Sequence, residues 1–302
     1  MIGNDAILLT GGTGFLGSHI AESLLEKGYR VILLKRSHSD LSKIRHLINH
    51  PSLDLYDIDI VGLEPAFQNP IQVIIHTAVS YGRAGSSTVS DLLDANLLFP
   101  VKLAELGIKY GVKGFVNTDS FFTKETYSSY GYMEQYSALK RDLAYWLKSF
   151  SDKISVVNMR LEHMYGERDA PSKFVMHIFH QLVGNTDRID LSPGGQKRDF
   201  VYVKDVASAF LAVTSDLIGQ PGVGYKTFEV GTGKSHEIRF FVDEMKRIMR
   251  SDSVLNYGAF PYRENEIMDS HADITGLTLL GWTTRYDLQQ GITHILESYL
   301  KG

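Results

Sequence analysis

Tyr136 and Lys140 are the residues whose types and spacing best suit proton chemistry. Four positions apart on a helix, their side chains share one face. Because a cation beside a phenol favours the phenolate, we expect Lys140 to lower the pKa of Tyr136 from its ordinary value of about 10. Such a tyrosine can exchange a proton with a substrate oxygen. The alternative is an ordinary helix surface, on which a Tyr–Lys pair at this spacing is common.

A partner hydroxyl is expected at the end of the strand that precedes this helix. The segment 115–120 offers Thr118 and Ser120. Since alternate residues of a strand point to the same side, either hydroxyl can face Tyr136. The strand pattern alone leaves both candidates open.

A glycine-rich turn near the start of the chain is the second chemical feature. Gly11, Gly14 and Gly17 are three residues apart, after an apolar strand and before an amphipathic helix. Gly11 permits a tight turn, Gly14 lets backbone amides approach a pyrophosphate, and Gly17 lets the helix pack closely on the strand. The free amides at the start of the helix favour an anion. This context predicts dinucleotide binding, and Lys140 would then hold the nicotinamide ribose.

Strands and helices alternate through the first half of the chain, which predicts an α/β fold with a doubly wound parallel Rossmann sheet. After Gly166 the pattern breaks into short pieces rich in Gly, Pro and charge, which indicates a smaller discontinuous C-terminal substrate-binding lobe. We divide the chain into a dinucleotide-binding domain (1–165 and 199–235) and this lobe (166–198 and 236–302). The predicted strands are 6–10, 30–35, 53–58, 71–77, 113–119, 154–160 and 227–230, and the first helix is expected at 18–28.

Composition excludes several classes of function. The 302 residues include no cysteine, so thiol nucleophiles, disulfides and cysteine metal sites are excluded. A net charge of −4 argues against general affinity for nucleic acid or an anionic membrane. No apolar run is long enough to span a bilayer, so we expect a cytoplasmic protein. Neither of the histidine pairs His46/His50 and His177/His180 has an acidic partner in a recognisable motif, so we interpret them as helix surface and expect no metal.

Lys35 and Arg36 follow the second strand, where an acidic residue would bind the adenosine ribose of NAD. A guanidinium suits a 2′-phosphate instead. We therefore expect NADP(H) to be preferred, with NAD(H) possible. The alternative is that both cations only solvate the end of a strand.

The GxxGxxG spacing together with the Tyr-x-x-x-Lys pair resembles the extended short-chain dehydrogenase/reductase superfamily, and the resemblance covers essentially the whole chain. It implies that Asp57 and Ile58 contact the adenine, with Asp59 as a rival, and that the strand end at Ala78 lies beside the cofactor riboses. His76 is expected to be an oriented core histidine. The cofactor-binding residues implied are Gly11, Thr13, Gly14, Phe15, Leu16, Gly17, Lys35, Arg36, Asp57, Ile58, Ala78, Tyr136 and Lys140.

The same resemblance favours Ser120 over Thr118 as the catalytic hydroxyl, since Ser120 lies five residues after Phe115. The superfamily's dehydratases carry Asp-Glu directly after this hydroxyl, whereas this chain carries Phe121 and Phe122. Dehydration is therefore not expected. Two phenyl rings would suit a sugar that lacks hydroxyls, although core packing explains at least one of them equally well.

Three residues of the second half resemble the superfamily's ligands for a nucleoside diphosphate sugar. His163 occupies the place of an asparagine that contacts the nucleotide-sugar. Arg198 and Arg263 resemble the arginines that bind its diphosphate, and two guanidiniums can each donate bidentate charge-assisted bonds. Substrate contacts are thus expected from Ser120, Phe121, His163, Arg198 and Arg263.

Within the superfamily, segments 117–122, 158–163 and 265–268 resemble CDP-abequose and CDP-paratose synthases. This implies NADPH-dependent reduction of the 4-keto group of CDP-4-dehydro-3,6-dideoxyglucose in O-antigen synthesis, by Ser120, Tyr136 and Lys140. A nucleotide-sugar 4-epimerase is the alternative, and a non-catalytic dinucleotide sensor is a third possibility. A homodimer is also expected, through helices near 95–111 and 135–149 and the apolar residues Leu97, Leu98, Val101 and Leu143.

Overall fold

The protein is described by a computed structural model for residues 6–82 and 88–301. Most of the predicted strands are found within one residue of their expected ends. The strands are β1 (Ala6–Thr10), β2 (Arg30–Lys35), β3 (Leu53–Asp57), β4 (Ile71–His76), β5 (Gly114–Ser120), β6 (Ser155–Leu161), β7 (His163–Tyr165), β8 (Arg188–Leu191), β9 (Lys197–Arg198), β10 (Phe200–Tyr202), β11 (Gly224–Val230), β12 (His236–Glu237), β13 (Val254–Tyr257) and β14 (Asp269–Ser270).

The helices connect these strands in the order expected of βαβ units. They are α1 (Phe15–Glu26), α2 (Ile58–Val61), α3 (Val89–Leu93), α4 (Phe99–Lys109), α5 (Glu134–Ser149), α6 (Phe174–Val183), α7 (Val203–Gly219), α8 (Ile238–Met249), α9 (Thr275–Leu279) and α10 (Leu288–Lys301). The first helix was expected to begin at residue 18, but α1 begins at Phe15 because the glycine turn leads straight into it. A π-helical segment, Asp94–Leu98, joins α3 to α4.

Seven parallel strands form the central sheet, in the order β11-β6-β5-β4-β1-β2-β3. The order reverses between β1 and β4, which is the switch point where ligands bind in such sheets. The sheet confirms the predicted fold class. Strand β11 begins at Gly224, three residues before the predicted start. Its first three residues pair with β6 although none of them is buried.

Apolar side chains of the central strands alternate between two cores. Along β1, Ile7 and Leu9 belong to the core that includes residues of α1 and α7. Ala6 and Leu8 belong to the other core, with Leu103 of α4. Because both faces are buried, the strand reads as a continuous apolar run.

Short paired strands lie outside the central sheet, and four helices, α6, α8, α9 and α10, fall in the range predicted for the smaller lobe. Strand β8 pairs with β13, β9 pairs with β12 and β14, and β7 pairs with β10. Residues of α6, α8 and α10 belong to the same apolar core as the sheet, and examples are Phe179, Phe241 and Ile292. The lobe is therefore joined to the sheet by one continuous core.

The apolar residues expected at a dimer interface have different surroundings. Leu143 is 1% exposed and packs in the protein's own core, so its assignment to an interface is wrong. Leu97 and Val101 are partly buried against the same core, whereas Leu98 is 45% exposed. Helix α5 also exposes two aromatic side chains, Tyr145 and Trp146.

Within residues 6–82 and 88–301, no helix has both the length and the apolar character needed to cross a membrane.

Candidate active site

The glycine turn has the close packing that a dinucleotide cradle requires. Gly11 has a φ of +69°, and a Cβ there would lie 2.5 Å from the amide nitrogen of Ala78. A Cβ on Gly17 would lie 2.2 Å from the carbonyl oxygen of Gly11. Only glycine fits these two positions. Helix α1 starts after Gly14 and receives no side-chain cap from the described residues, so its first amides remain available to an anion.

The two cations at the end of β2, Lys35 and Arg36, have different surroundings. The Lys35 ammonium lies 2.6 Å from Asp57 Oδ2 and is 17% exposed. This contact is the main reason why the pKa of Asp57 is lowered. Asp57 also accepts from the hydroxyl of Ser37 and caps the helix that begins at Ile58. Arg36 is exposed. Arg36 has no carboxylate partner among the described residues. It is therefore the cation that would be available to a 2′-phosphate at this edge.

Ser120, Tyr136 and Lys140 come together at the end of β5. The Ser120 hydroxyl is close enough to the Tyr136 phenol to oppose the rise of its pKa. The Lys140 ammonium lies 5.8 Å from the centre of the Tyr136 ring and donates to the carbonyl oxygen of Thr118 at 2.5 Å. Thr118 Oγ1 is buried and has no partner among the described residues. The geometry thus places Ser120, rather than Thr118, beside the phenol.

The expected effect of Lys140 on Tyr136 is not found. Burial raises the pKa of Tyr136, and the neighbouring Tyr81 and Asp119 raise it further. Burial also lowers the pKa of Lys140 from 10.5 to about 8. Desolvation disfavours the charged form of both groups and outweighs their mutual attraction. In this structure the phenol is therefore held protonated, ready to donate a proton.

Tyr81 is a neighbour of the catalytic candidates that the sequence did not reveal. Its ring stacks on the ring of Tyr136, with centroids 5.3 Å apart and an interplanar angle of 25°. Tyr81 comes five residues after His76, the last residue of β4. His76 is 1% exposed, and its Nδ1 lies 2.8 Å from Thr10 Oγ1. This is the buried, oriented histidine that we expected.

Phe121 and Phe122 form part of a larger aromatic wall beside Ser120. Their ring centroids are 4.0 Å apart, and Phe121 lies 4.6 Å from the ring of His163. Phe121 is 4% exposed and belongs to a small apolar cluster with Tyr130 and Ile267. Phe121 therefore has the core role that was the alternative interpretation. The tyrosines of this wall were missed, although Tyr127, Tyr130 and Tyr132 occur within six residues of sequence.

Arg198 and Arg263 converge, as their predicted role requires, but they converge on Glu266. Arg198 Nη2 lies 2.5 Å from Glu266 Oε1, and both side chains are almost fully buried. Arg263 Nη1 lies 4.0 Å from Glu266 Oε2, and its guanidinium stacks over the ring of Tyr132 at 4.1 Å. In this structure the carboxylate of Glu266 therefore lies beside both guanidiniums.

Asp119 is a buried carboxylate directly before Ser120. Its Oδ2 accepts from Thr123 at 2.9 Å and from Asn158 at 2.8 Å, and Arg160 Nε lies 3.4 Å away. Its Oδ1 has no partner among the described residues. Asp119 lines a cavity of about 520 Å³ with Arg141 and other residues. The sequence signal that could have identified Asp119 is a charged residue within an otherwise buried strand.

No group of three or more histidines and carboxylates among the described residues is arranged to hold a metal ion.

Known proteins resemble this chain over nearly its full length. A CDP-abequose synthase of Salmonella muenchen is 37% identical to it, covering 97% of this chain and 98% of the synthase. A CDP-abequose synthase of Salmonella typhimurium is 33% identical over a similar span. A protein of Methanocaldococcus jannaschii described as a putative UDP-glucose 4-epimerase is 28% identical.

Solved structures show the same architecture. The UDP-glucose 4-epimerase of Thermotoga maritima, crystallised with UDP-glucose, superposes with a TM-score of 0.81 at 25% identity and covers 98% of this chain and 99% of its own. The Thermus thermophilus UDP-glucose 4-epimerase complex with NAD has a TM-score of 0.77 and 22% identity, with coverage of 98% and 99%, and shows the fold alone. The NAD dependent epimerase/dehydratase family model matches residues 7–231. On this match and the 37% identity, the chain belongs to the NAD dependent epimerase/dehydratase family.

Proposed function

We propose that the protein is an NADPH-dependent reductase of the 4-keto group of a nucleotide-activated deoxysugar, of the CDP-4-dehydro-3,6-dideoxyglucose type. Membership of the family supports a dinucleotide-dependent enzyme. The similarity to CDP-abequose synthases supports a nucleotide sugar as the substrate class and surface polysaccharide synthesis as the setting. On this proposal the reaction takes place in the cytoplasm.

The single observation that carries the proposal is the proximity of the Ser120 hydroxyl to the Tyr136 phenol, next to an aromatic wall. Carbonyl reduction needs two hydroxyl donors at the developing oxyanion. It needs no acid–base pair at the neighbouring sugar carbons. Phe121 and Phe122 stand where such a pair would stand, and their rings face His163, Tyr130 and each other.

The residues of the glycine turn fit a dinucleotide, because the space against Gly11 and Gly17 admits no side chain. Bound NADPH would supply the hydride. Ser120 would hold the carbonyl oxygen, and Tyr136 would give it a proton. The phenol of Tyr136, whose pKa is raised by burial, is protonated before the substrate arrives. Lys140 would hold the nicotinamide ribose.

Two arginines would position the substrate. Arg198 and Arg263 already flank a carboxylate of Glu266, and a diphosphate would offer them more oxygen acceptors at higher charge. Anchoring the diphosphate would keep the carbonyl at reaction distance and so lower the entropic part of the barrier. The aromatic wall would face the deoxygenated edge of the sugar, where a hydroxyl would lose bonds to water at a cost of roughly 1–3 kcal/mol.

The reaction itself is the test of this proposal. With CDP-4-keto-3,6-dideoxyhexose, the wild type should consume NADPH one-to-one with product, and Tyr136→Phe should lose most of that rate. The second candidate is a 4-epimerase, which is favoured by the TM-score of 0.81 to the Thermotoga maritima enzyme. Interconversion of UDP-glucose and UDP-galactose without net use of cofactor would establish that activity and refute the reductase. Tight dinucleotide binding without either reaction would indicate a sensor.

We also propose a homodimer whose interface includes the exposed face of α5. Tyr145 is 71% exposed and Trp146 is 49% exposed on that helix, and Leu98 is exposed on the neighbouring π-helical segment. Exposed aromatic side chains in one area are typical of protein interfaces.

A further inference from the structure

Lys173 extends from the smaller lobe to the glycine turn. It is the residue before α6, and its ammonium lies 5.6 Å from the centre of the Phe15 ring and 5.8 Å from the centre of the Tyr81 ring. Asp169 holds it in this position, with Lys173 Nζ 3.2 Å from Asp169 Oδ1. The Asp169 side chain is only 3% exposed, whereas the Lys173 side chain is 30% exposed. A buried carboxylate thus directs a solvent-accessible cation.

The two rings define where this cation lies in the proposed active site. Phe15 is the first residue of α1 and follows the glycine turn directly. Tyr81 stacks on Tyr136 at 5.3 Å. Lys173 is therefore close both to the predicted cradle for a pyrophosphate and to the residues proposed for chemistry. A dinucleotide bound between the turn and Tyr136 would bring its diphosphate near this ammonium.

Among residues 6–82 and 88–301, the other cations near the turn are already engaged or lie elsewhere. His19 on α1 lies 2.7 Å from Arg168 Nη2, and burial lowers the pKa of His19 to about 4, so this imidazole is neutral. Lys35 is paired with Asp57 at the far end of β2. The turn residues themselves, from Thr10 to Ser18, include no lysine or arginine.

We propose that Lys173 binds the diphosphate of the dinucleotide cofactor and thereby ties the smaller lobe to the bound cofactor. The proposal rests on the proposed function, since it requires a dinucleotide at the glycine turn. A lysine suits this role because its ammonium is a compact charge on a flexible stem, able to leave Asp169 for phosphate oxygens. The substrate's diphosphate is the other source of the same chemistry, but Arg198 and Arg263 are the residues proposed above for that group.

Direct binding measurements test the proposal without relying on turnover. The dissociation constants of NADPH and of CDP would be measured separately by calorimetry for the wild type, Lys173→Met and Lys173→Arg. Loss of one charge-assisted contact predicts that Lys173→Met weakens NADPH binding about ten- to a hundredfold. CDP binding should stay unchanged, and Lys173→Arg should retain most of the NADPH affinity. Lys27→Met is the matched control, because Lys27 is an exposed lysine at the other end of α1.

Each other outcome overturns a specific claim. Equal NADPH affinity of the wild type and Lys173→Met would refute the role of the lysine while leaving the proposed function intact. A selective loss of CDP affinity would show that Lys173 binds the substrate's diphosphate instead, and would also refute the proposal. If the wild type binds no NADPH, both the proposed function and this inference fail. Should Lys173→Met unfold, Lys173→Gln gives the same comparison, and its NADPH binding should depend less on salt than that of the wild type, because loss of a phosphate contact flattens that dependence.

Discussion

Arg36→Ala should weaken the binding of NADPH selectively. The reason is the difference between the two cations at the end of β2. Lys35 is 2.6 Å from Asp57, so its charge is largely compensated before any ligand binds. Arg36 is exposed, and no carboxylate among the described residues pairs with it. If a 2′-phosphate binds at this edge, the guanidinium of Arg36 carries most of the interaction.

The size of the effect follows from the kind of bond that is lost. A hydrogen bond to a charged group contributes roughly 1.5–3 kcal/mol, which corresponds to about one to two decades in dissociation constant. The exposure of Arg36 places the expected loss toward the lower value, because solvent screens the pair. Arg36→Lys should fall between the wild type and Arg36→Ala, since an ammonium keeps the charge but loses the bidentate geometry.

Calorimetric titration with NADPH and with NADH, at one fixed ionic strength, is the appropriate assay. NADH lacks the 2′-phosphate and is the internal control, so its affinity should be the same for the wild type and Arg36→Ala. Raising the salt concentration should reduce the NADPH preference of the wild type and leave the variant little changed. The reasoning is refuted if the wild type binds both cofactors equally, or if Arg36→Ala weakens both to the same extent.

The remaining predictions concern the catalytic pair, a buried lysine and the oligomeric state. Ser120→Ala should lower kcat more than it raises KM, because its bond strengthens as charge develops on the substrate oxygen, while Thr118→Val should be mild; steady-state kinetics showing the opposite order would transfer the role to Thr118. Burial lowers the pKa of Lys140 from 10.5 to about 8, so the unfolded chain binds more protons between those values and wild-type stability rises with pH there. Lys140→Met should therefore be more stable relative to the wild type at neutral pH than above pH 10.5, and denaturant titrations should show this difference shrinking as the pH rises from 8 to 10.5; a difference independent of pH would contradict the shift. Light scattering at micromolar concentration should give a dimer for the wild type and a monomer for Trp146→Glu, and a monomeric wild type would rule the interface out.

Local patterns in the sequence were sufficient to predict the sheet and the glycine turn. Apolar runs such as Ile71–His76 mark buried parallel strands because each run is short, continuous and bounded by turn residues. Gly11 and Gly17 could be recognised because the turn leaves no room for a side chain, a requirement that acts over a few residues. The strand pattern alone left both Thr118 and Ser120 open as partners of Tyr136, and only the resemblance to the superfamily favoured Ser120.

Only the tertiary structure decided what the charged and aromatic side chains do. The pairing of Lys35 with Asp57 and of Arg198 with Glu266 depends on strands and loops that meet through packing, which no local pattern records. The direction of the pKa shift of Tyr136 was also decided by the tertiary structure. Spacing along the helix predicted a lowered value, but burial desolvates the phenolate and raises it. Helical spacing determines which side chains are neighbours, whereas the surrounding fold determines how much water remains to stabilise their charges.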